Sequence, residues 1–214
     1  CEAVAETDEA LMEKYFEDGA DAFSVEEVVA GVRAAVKQCA LAPVFCGCAT
    51  NGFGTLELLQ GMIDMVPNPL EGNGVTIVDA DGSNPKQTAL DPNGSPALFV
   101  FKTISDQYGK KSYFKVISGK ITPDLTLNNV RASANEKLGH IYMPKGKKDT
   151  EVTELCCGDI GVVTKLASVK TGDTLCTAGK PVYVKGADYA EPCHTMAIYA
   201  KVKGQEDKVA AGLT

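Results

Sequence analysis

The chain is 214 residues long, 44% hydrophobic and 23% charged, with a net charge of −7. That balance belongs to a globular protein, and no apolar run reaches the ~18 residues that a membrane-spanning helix needs. The acidity does not exclude a polyanionic partner, because residues 1–66 carry 3 basic against 12 acidic groups whereas residues 97–187 carry 14 against 8.

At this length the expectation is one complete domain with partial neighbours. Cys1 is not an initiator and the chain stops at Gly212-Leu213-Thr214 as a helical pattern is beginning, so it reads as an internal fragment. No charged-then-apolar leader is present, and nothing in the sequence suggests secretion.

Residues 8–18 predict a short helix, with Leu11, Met12, Tyr15 and Phe16 on one face and Asp18-Gly19 at its end. Ser24-Val25-Glu26-Glu27 is a capping box opening a helix to about Gln38, striped by Val25, Val28, Val29, Val32 and Val36. Ala42-Pro43-Val44-Phe45-Cys46 predicts a strand buried on both faces, as in a parallel sheet. A glycine-bearing loop, Gly47 to Gly54, leads to a helix marked by Leu56, Leu59, Ile63 and Val66 and stopped by Pro67-Asn68-Pro69. This first part is α/β in character.

Residues 67–96 hold half of the 10 prolines and read as a linker, with a small ribbon at Val75-Thr76-Ile77-Val78 and Asp79-Ala80-Asp81-Gly82. After Pro96 the pattern changes to strands, first at Ala97 to Ile104 and Lys111 to Ile117. Turn signals recur at Ser118-Gly119, Asn128-Asn129, Pro144-Lys145-Gly146, Gly158-Asp159 and Thr171-Gly172-Asp173. Short strands with closely spaced turns predict a closed or nearly closed antiparallel barrel, because closure removes sheet edges. Ala197 to Val202 reads as a further strand and Gln205 onward as a helix start.

No metal spacing appears among the 8 cysteines: Cys46 and Cys48 are separated by one residue, and Cys156 and Cys157 are adjacent. Without a secretory leader they read as reduced thiols. His140 and His194 are the histidines of the chain, and Cys193-His194 makes no nucleophile pair, because neighbours in a strand point to opposite faces. The carboxylate pairs Glu26-Glu27 and Glu206-Asp207 stand at helix starts, where they complement the dipole. No Gly-x-x-x-x-Gly-Lys run and no Asn-Lys-x-Asp run occurs, so neither a phosphate cradle nor a base reader of the usual kind is present.

Several stretches, in order, resemble elongation factor G. They are Glu6-Thr7-Asp8-Glu9, Leu11 to Phe16, Ala42 to Ala49, Phe101-Lys102, Asp106, Gly109-Lys110, Ser118-Gly119, Glu151-Val152, Gly158-Asp159-Ile160, Thr171 to Leu175, Glu191-Pro192 and Lys201 to Lys208. Each is weak alone; their order and separation carry the resemblance over essentially the whole chain. Gly139 to Met143 and Lys145-Gly146-Lys147-Lys148 look more like a divergent, paralogous branch.

The resemblance implies an α+β fragment: residues 1–66 as the C-terminal part of a GTPase domain, 67–96 as linker, 97–187 as the second-domain β-barrel of the translation factors, and 188–214 as the start of a third domain. It implies a cytoplasmic parent that binds GTP with magnesium and promotes translocation on the ribosome, while this fragment is expected to bind no cofactor and to catalyse nothing itself. Alternatives are a ribosomal protection factor of the same family and a stand-alone, non-enzymatic binding barrel. Cys48 and Ala49 match the pair whose backbone amides meet the guanine in the family. Lys110, Lys111, Lys145, Lys147 and Lys148 are the expected contacts to small-subunit ribosomal RNA, through phosphates rather than bases. Tyr108, Tyr113 and Phe114 are candidates for base stacking, although strand aromatics are more often core.

Overall fold

The computed structural model describes residues 1–106 and 109–213. Its first part is helical: α1 (Glu2–Ala5), α2 (Glu9–Asp18), a 3-10 turn (Ala20–Ala22), α3 (Val25–Lys37) and α4 (Thr55–Met65). The starts are chemically marked. Asp8 accepts from the amides of Ala10 and Leu11, and Ser24 and Glu27 form the reciprocal capping box. The Lys14 ammonium lies 2.8 Å from Glu27 and ties α2 to α3. Arg33 of α3 donates to the carbonyls of Ile63 and Asp64 and pairs with Glu71 at 2.6 Å, so a cation sits on the negative end of α4.

The predicted apolar stripes are present but largely uncovered. Phe16 is 78% exposed, Leu56 77%, Ile63 69% and Val25 75%. The Ala42-to-Cys46 strand does not form; the segment has no ladder, and Val44 is 88% exposed. An extended segment becomes a strand only when its amides and carbonyls find a neighbour, and among the described residues no strand pairs with this one. Its hold is local: a Cβ on Gly61 of α4 would lie 2.2 Å from the Phe45 ring, so this ring rests directly on the helix backbone.

Beyond Pro67 come β1 (Val75–Val78), β2 (Lys86–Thr88), β3 (Ala97–Asp106), β4 (Gly109–Ser118), β5 (Lys120–Ile121), β6 (Thr126–Asn129) and β7 (Ala134–Lys137). They are followed by β8 (Ile141–Lys145), β9 (Lys148–Val152), β10 (Leu155–Cys156), β11 (Ile160–Thr164), β12 (Thr174–Cys176), β13 (Tyr183–Val184) and α5 (Glu206–Leu213). Eight strands form one antiparallel sheet in the order β7-β6-β12-β3-β4-β11-β8-β9, and β5 pairs with β10 beside it. The expected ribbon is real and larger than expected, because β1 pairs with both β2 and β13.

One core cluster joins Leu127 of β6, Leu98 of β3, Phe114 of β4 and Ile141 of β8, strands far apart in the sheet order. The sheet therefore curls round its core into a barrel-like shape, without a ladder between β7 and β9 among the described residues. Each such side chain contributes roughly 1.5–3 kcal/mol by leaving water. A second cluster, Leu90, Ala97, Ile117, Cys176 and Val184, fastens the ribbon to the sheet.

Two local expectations fail for physical reasons. Asn128-Asn129 ends β6 rather than turning, because the Asn129 amide is buried and donates to Asp173 at 2.8 Å; the reversal falls at residues 130–133. Ala197 to Val202 forms no strand, since no strand pairs with it among the described residues, and Tyr199 is 85% exposed. The helix predicted from Gln205 is α5.

Asp173, at the Thr171-Gly172-Asp173 turn, accepts more side-chain hydrogen bonds than any other acid among the described residues. Its carboxylate, 2% exposed, takes the Nε of Arg131 at 2.5 Å and a second guanidinium nitrogen at 2.8 Å, besides the Asn129 amide and the Lys170 backbone N–H. Burial pushes the Asp173 carboxyl up, and the bonds from Arg131, Lys170 and Asn129 outweigh it and hold the group below the ordinary carboxylate range. A depressed folded-state pKa stabilises the fold above the unfolded value and is lost as pH falls. The urea midpoint should thus be flat above about pH 5 and decline below about pH 4, with a weaker decline in Asp173→Asn. At neutral pH this substitution should cost about 2 kcal/mol, measured by urea unfolding.

Candidate functional site

The loop from Gly47 to Gly54 is pinched at its base. Cys48 and Phe53 form an isolated bridge in which the Cys48 N–H donates to the Phe53 carbonyl at 2.9 Å. Gly54 has φ +75°, and a Cβ there would meet the Cys46 carbonyl at 2.6 Å and the Gly47 Cα at 3.0 Å. Only glycine serves at this position, on both counts. The pinch presents residues 48–53 as an exposed knuckle at the N-terminus of α4.

Within it the Cys48 amide is occupied, while the Ala49 amide meets no acceptor among the described residues. Of the two residues expected to address a base through the backbone, the fold leaves Ala49 available. The Cys48 sulfur lies 3.1 Å from the Thr50 hydroxyl. That contact, with the amides of Asn51 and Thr50, lowers the thiol pKa below its ordinary value.

The five lysines singled out in the sequence divide into two groups. Lys110 and Lys111 lie at the start of β4 and are engaged internally: the Lys110 ammonium donates to the Val169 carbonyl, and that of Lys111 pairs with Asp149 at 2.9 Å. Lys145, Lys147 and Lys148 surround the tight β8–β9 turn at Gly146 and are exposed, with no ion-pair partner among the described residues. Asp149, which the sequence shows next to them, is drawn away by Lys111. The turn therefore presents its three ammonium groups undiluted.

Of the aromatic candidates, Phe114 is fully buried in the core and cannot meet a ligand. Tyr113 is half-buried on the outward face of β4, and Tyr108 lies outside the described residues. His140 pairs with Glu151 at 2.5 Å on the surface, and His194 sits in an exposed segment without regular structure. Among the described residues no group of three or more His, Cys, Asp or Glu is placed to hold a metal ion, and no helix is long and apolar enough to cross a membrane. Lys115, outward on β4, belongs to no motif singled out in the sequence, and Lys102, outward on β3, entered only within the Phe101-Lys102 stretch and not as a contact residue, although the alternation Lys111-Tyr113-Lys115 was there to be read.

The barrel-like sheet has known counterparts. Residues 96–178 match elongation factor G domain 2. The match covers the run from β3 to β12 and includes the β8–β9 turn and the Asp173 network. Over 99% of its length the chain also superposes on a crystal structure of a protein from Thermus thermophilus, with a TM-score of 0.77 and 28% identity. The chain spans 29% of the length of that protein. The likeness thus extends beyond the domain 2 segment, to the helices before it and the segment after it.

The lowered Cys48 pKa has a direct chemical consequence. In alkylation with iodoacetamide at neutral pH, followed by peptide mapping, Cys48 should label before the other exposed cysteines, Cys1, Cys39, Cys46, Cys156 and Cys193. Thr50→Val, which removes the largest contribution, should slow it towards the common rate.

Proposed function

We propose that this chain is part of an elongation factor G-like translational GTPase, and that its barrel-like sheet docks the parent on small-subunit ribosomal RNA through the β8–β9 turn. The match of residues 96–178 to elongation factor G domain 2 carries this reading. The exposed ammonium groups of Lys145, Lys147 and Lys148 supply the chemistry, since a rigid lysine turn meets the phosphates of a folded RNA by shape. Lys110 and Lys111 take a supporting role, holding the hairpin and the loop before Thr171 in place.

On this reading residues 1–66 are the C-terminal part of a nucleotide domain, 67–96 the connection, 97–187 the second domain, and 188–214 the beginning of a third. The uncovered stripes of α3 and α4, and the unpaired segment at Ala42 to Cys46, are then surfaces that the rest of the nucleotide domain covers. GTP with magnesium belongs to the parent. The knuckle fits one edge of the base, because the Ala49 N–H is free to donate to a carbonyl oxygen, whereas the sequence here has no cradle for phosphates. In the parent, which works in the cytoplasm, nucleotide state is relayed through this unit to the ribosome during translocation.

The test is binding of the 214-residue chain to isolated small ribosomal subunits across a salt series. Saturable binding that weakens with salt is expected. Replacing Lys145, Lys147 and Lys148 with glutamate should weaken it and reduce the steepness of log K against log salt by roughly 2 to 3. An unchanged affinity and slope would remove the turn from the interface.

A further inference from the structure

The outward face of the large sheet has a feature that the lysine turn does not use. Along β4 burial alternates, so that Ser112, Phe114 and Val116 point inward while Lys111, Tyr113 and Lys115 face out. The register places Lys102 of β3 beside Tyr113, Tyr113 beside Val162 of β11, and Val162 beside Tyr142 of β8. These side chains form one row across four adjacent strands. At ~4.8 Å per strand, the tyrosines stand ~10 Å apart.

Val162, between them, is fully buried yet belongs to neither core cluster, so it is covered from the outside by its neighbours in the row. A β-bulge between Val100 and Lys102 pushes Phe101 out beside the row, where it is 40% exposed. The row is thus aromatic in the middle and cationic at its β3 end, with Lys115 beside it. Its acids are hydrogen-bonded within the sheet: Glu151, next to Tyr142, to the His140 ring, and Asp149 to Lys111. Lys102 and Lys115 have no ion-pair partner among the described residues.

We propose that this row is a stacking platform for single-stranded RNA, with unpaired bases on Tyr113 and Tyr142 and backbone phosphates on Lys102 and Lys115. An aromatic ring accepts the face of any base, and the lysines track a phosphodiester without reading sequence. A duplex keeps its base faces stacked on one another and cannot offer them to the rings, so the platform selects unpaired strand. The surrounding segment suits a polyanion, residues 97–187 having 14 basic against 8 acidic groups in a chain of net charge −7. The inference shares with the docking reading only the class of partner and uses different residues.

The experiment is fluorescence anisotropy of a labelled oligouridylate with the 214-residue chain, against an RNA duplex with the same number of phosphates. The single strand should bind at least about 5-fold more tightly than the duplex. Tyr113→Leu, which keeps the apolar cover over Val162 but removes the ring, should weaken it by about 5-fold or more, while Tyr113→Phe should bind as the parent chain does. Lys102→Gln should reduce the salt slope by about 0.7. Equal affinity for the two RNAs, or a Tyr113→Leu chain that folds by circular dichroism and binds like the parent, would overturn the proposal. The chain with Lys145, Lys147 and Lys148 changed to glutamate keeps the two readings apart: it should bind small subunits more weakly and with a shallower salt slope, yet retain its preference for oligouridylate over duplex.

Discussion

A single buried carboxylate organises the sheet. Asp173 accepts from Arg131 and Asn129 at and beyond the end of β6, and from the Lys170 amide in the loop before β12. Its own carbonyl takes the Val100 N–H of β3, and Val100 in turn accepts from Gly172. The next residue, Thr174, accepts at its hydroxyl from the Val184 N–H, which brings in β13 and with it the ribbon. A charge 2% exposed is tolerable only when its lone pairs are filled, and filling them ties the end of β6 to the loop before β12, while the backbone of Asp173 and the hydroxyl of Thr174 add β3 and β13. The Thr171-Gly172-Asp173 turn is therefore the fastening point of the fold.

That arrangement also explains where cations are free. Lys110 and Lys111 are consumed in joining β4 to its surroundings, one at the Val169 carbonyl and the other at Asp149. The Asp149 carboxylate is thereby removed from the hairpin tip, and Lys145, Lys147 and Lys148 are left without it. Internal pairing thus sharpens the external charge distribution, separating structural lysines from those that meet solvent.

Much of this was legible in the sequence wherever the signal was local. The capping box at Ser24 and Glu27, the turns at Gly146, Gly158 and Gly172, and the strand character of Ala97 to Ile104 and of Lys111 to Ile117 depend on neighbouring residues and came out as expected. What failed depended on partners. Ala42 to Cys46 and Ala197 to Val202 have strand composition but no neighbour to pair with, and Asn128-Asn129 has turn composition overridden by a buried bond to Asp173. Of the candidate site, the lysine turn was legible because its spacing is tight. The internal role of Lys111 and the outward row through Tyr113 and Tyr142 were not, because strand register and cross-strand contacts are invisible in a linear pattern.

The ribbon sets how this unit bears load. Ile77 and Val78 pair with Val184 and Tyr183, and the Lys185 amide donates to the Thr76 carbonyl, so the strands just before and just after the barrel-like sheet are bonded to each other. A tension applied between the helical part and the segment beyond Lys185 falls first on those few antiparallel bonds and reaches the eight-stranded sheet only after they part. The bonds between β1 and β13 thus stand mechanically in series with the two flanks, ahead of the sheet that they enclose.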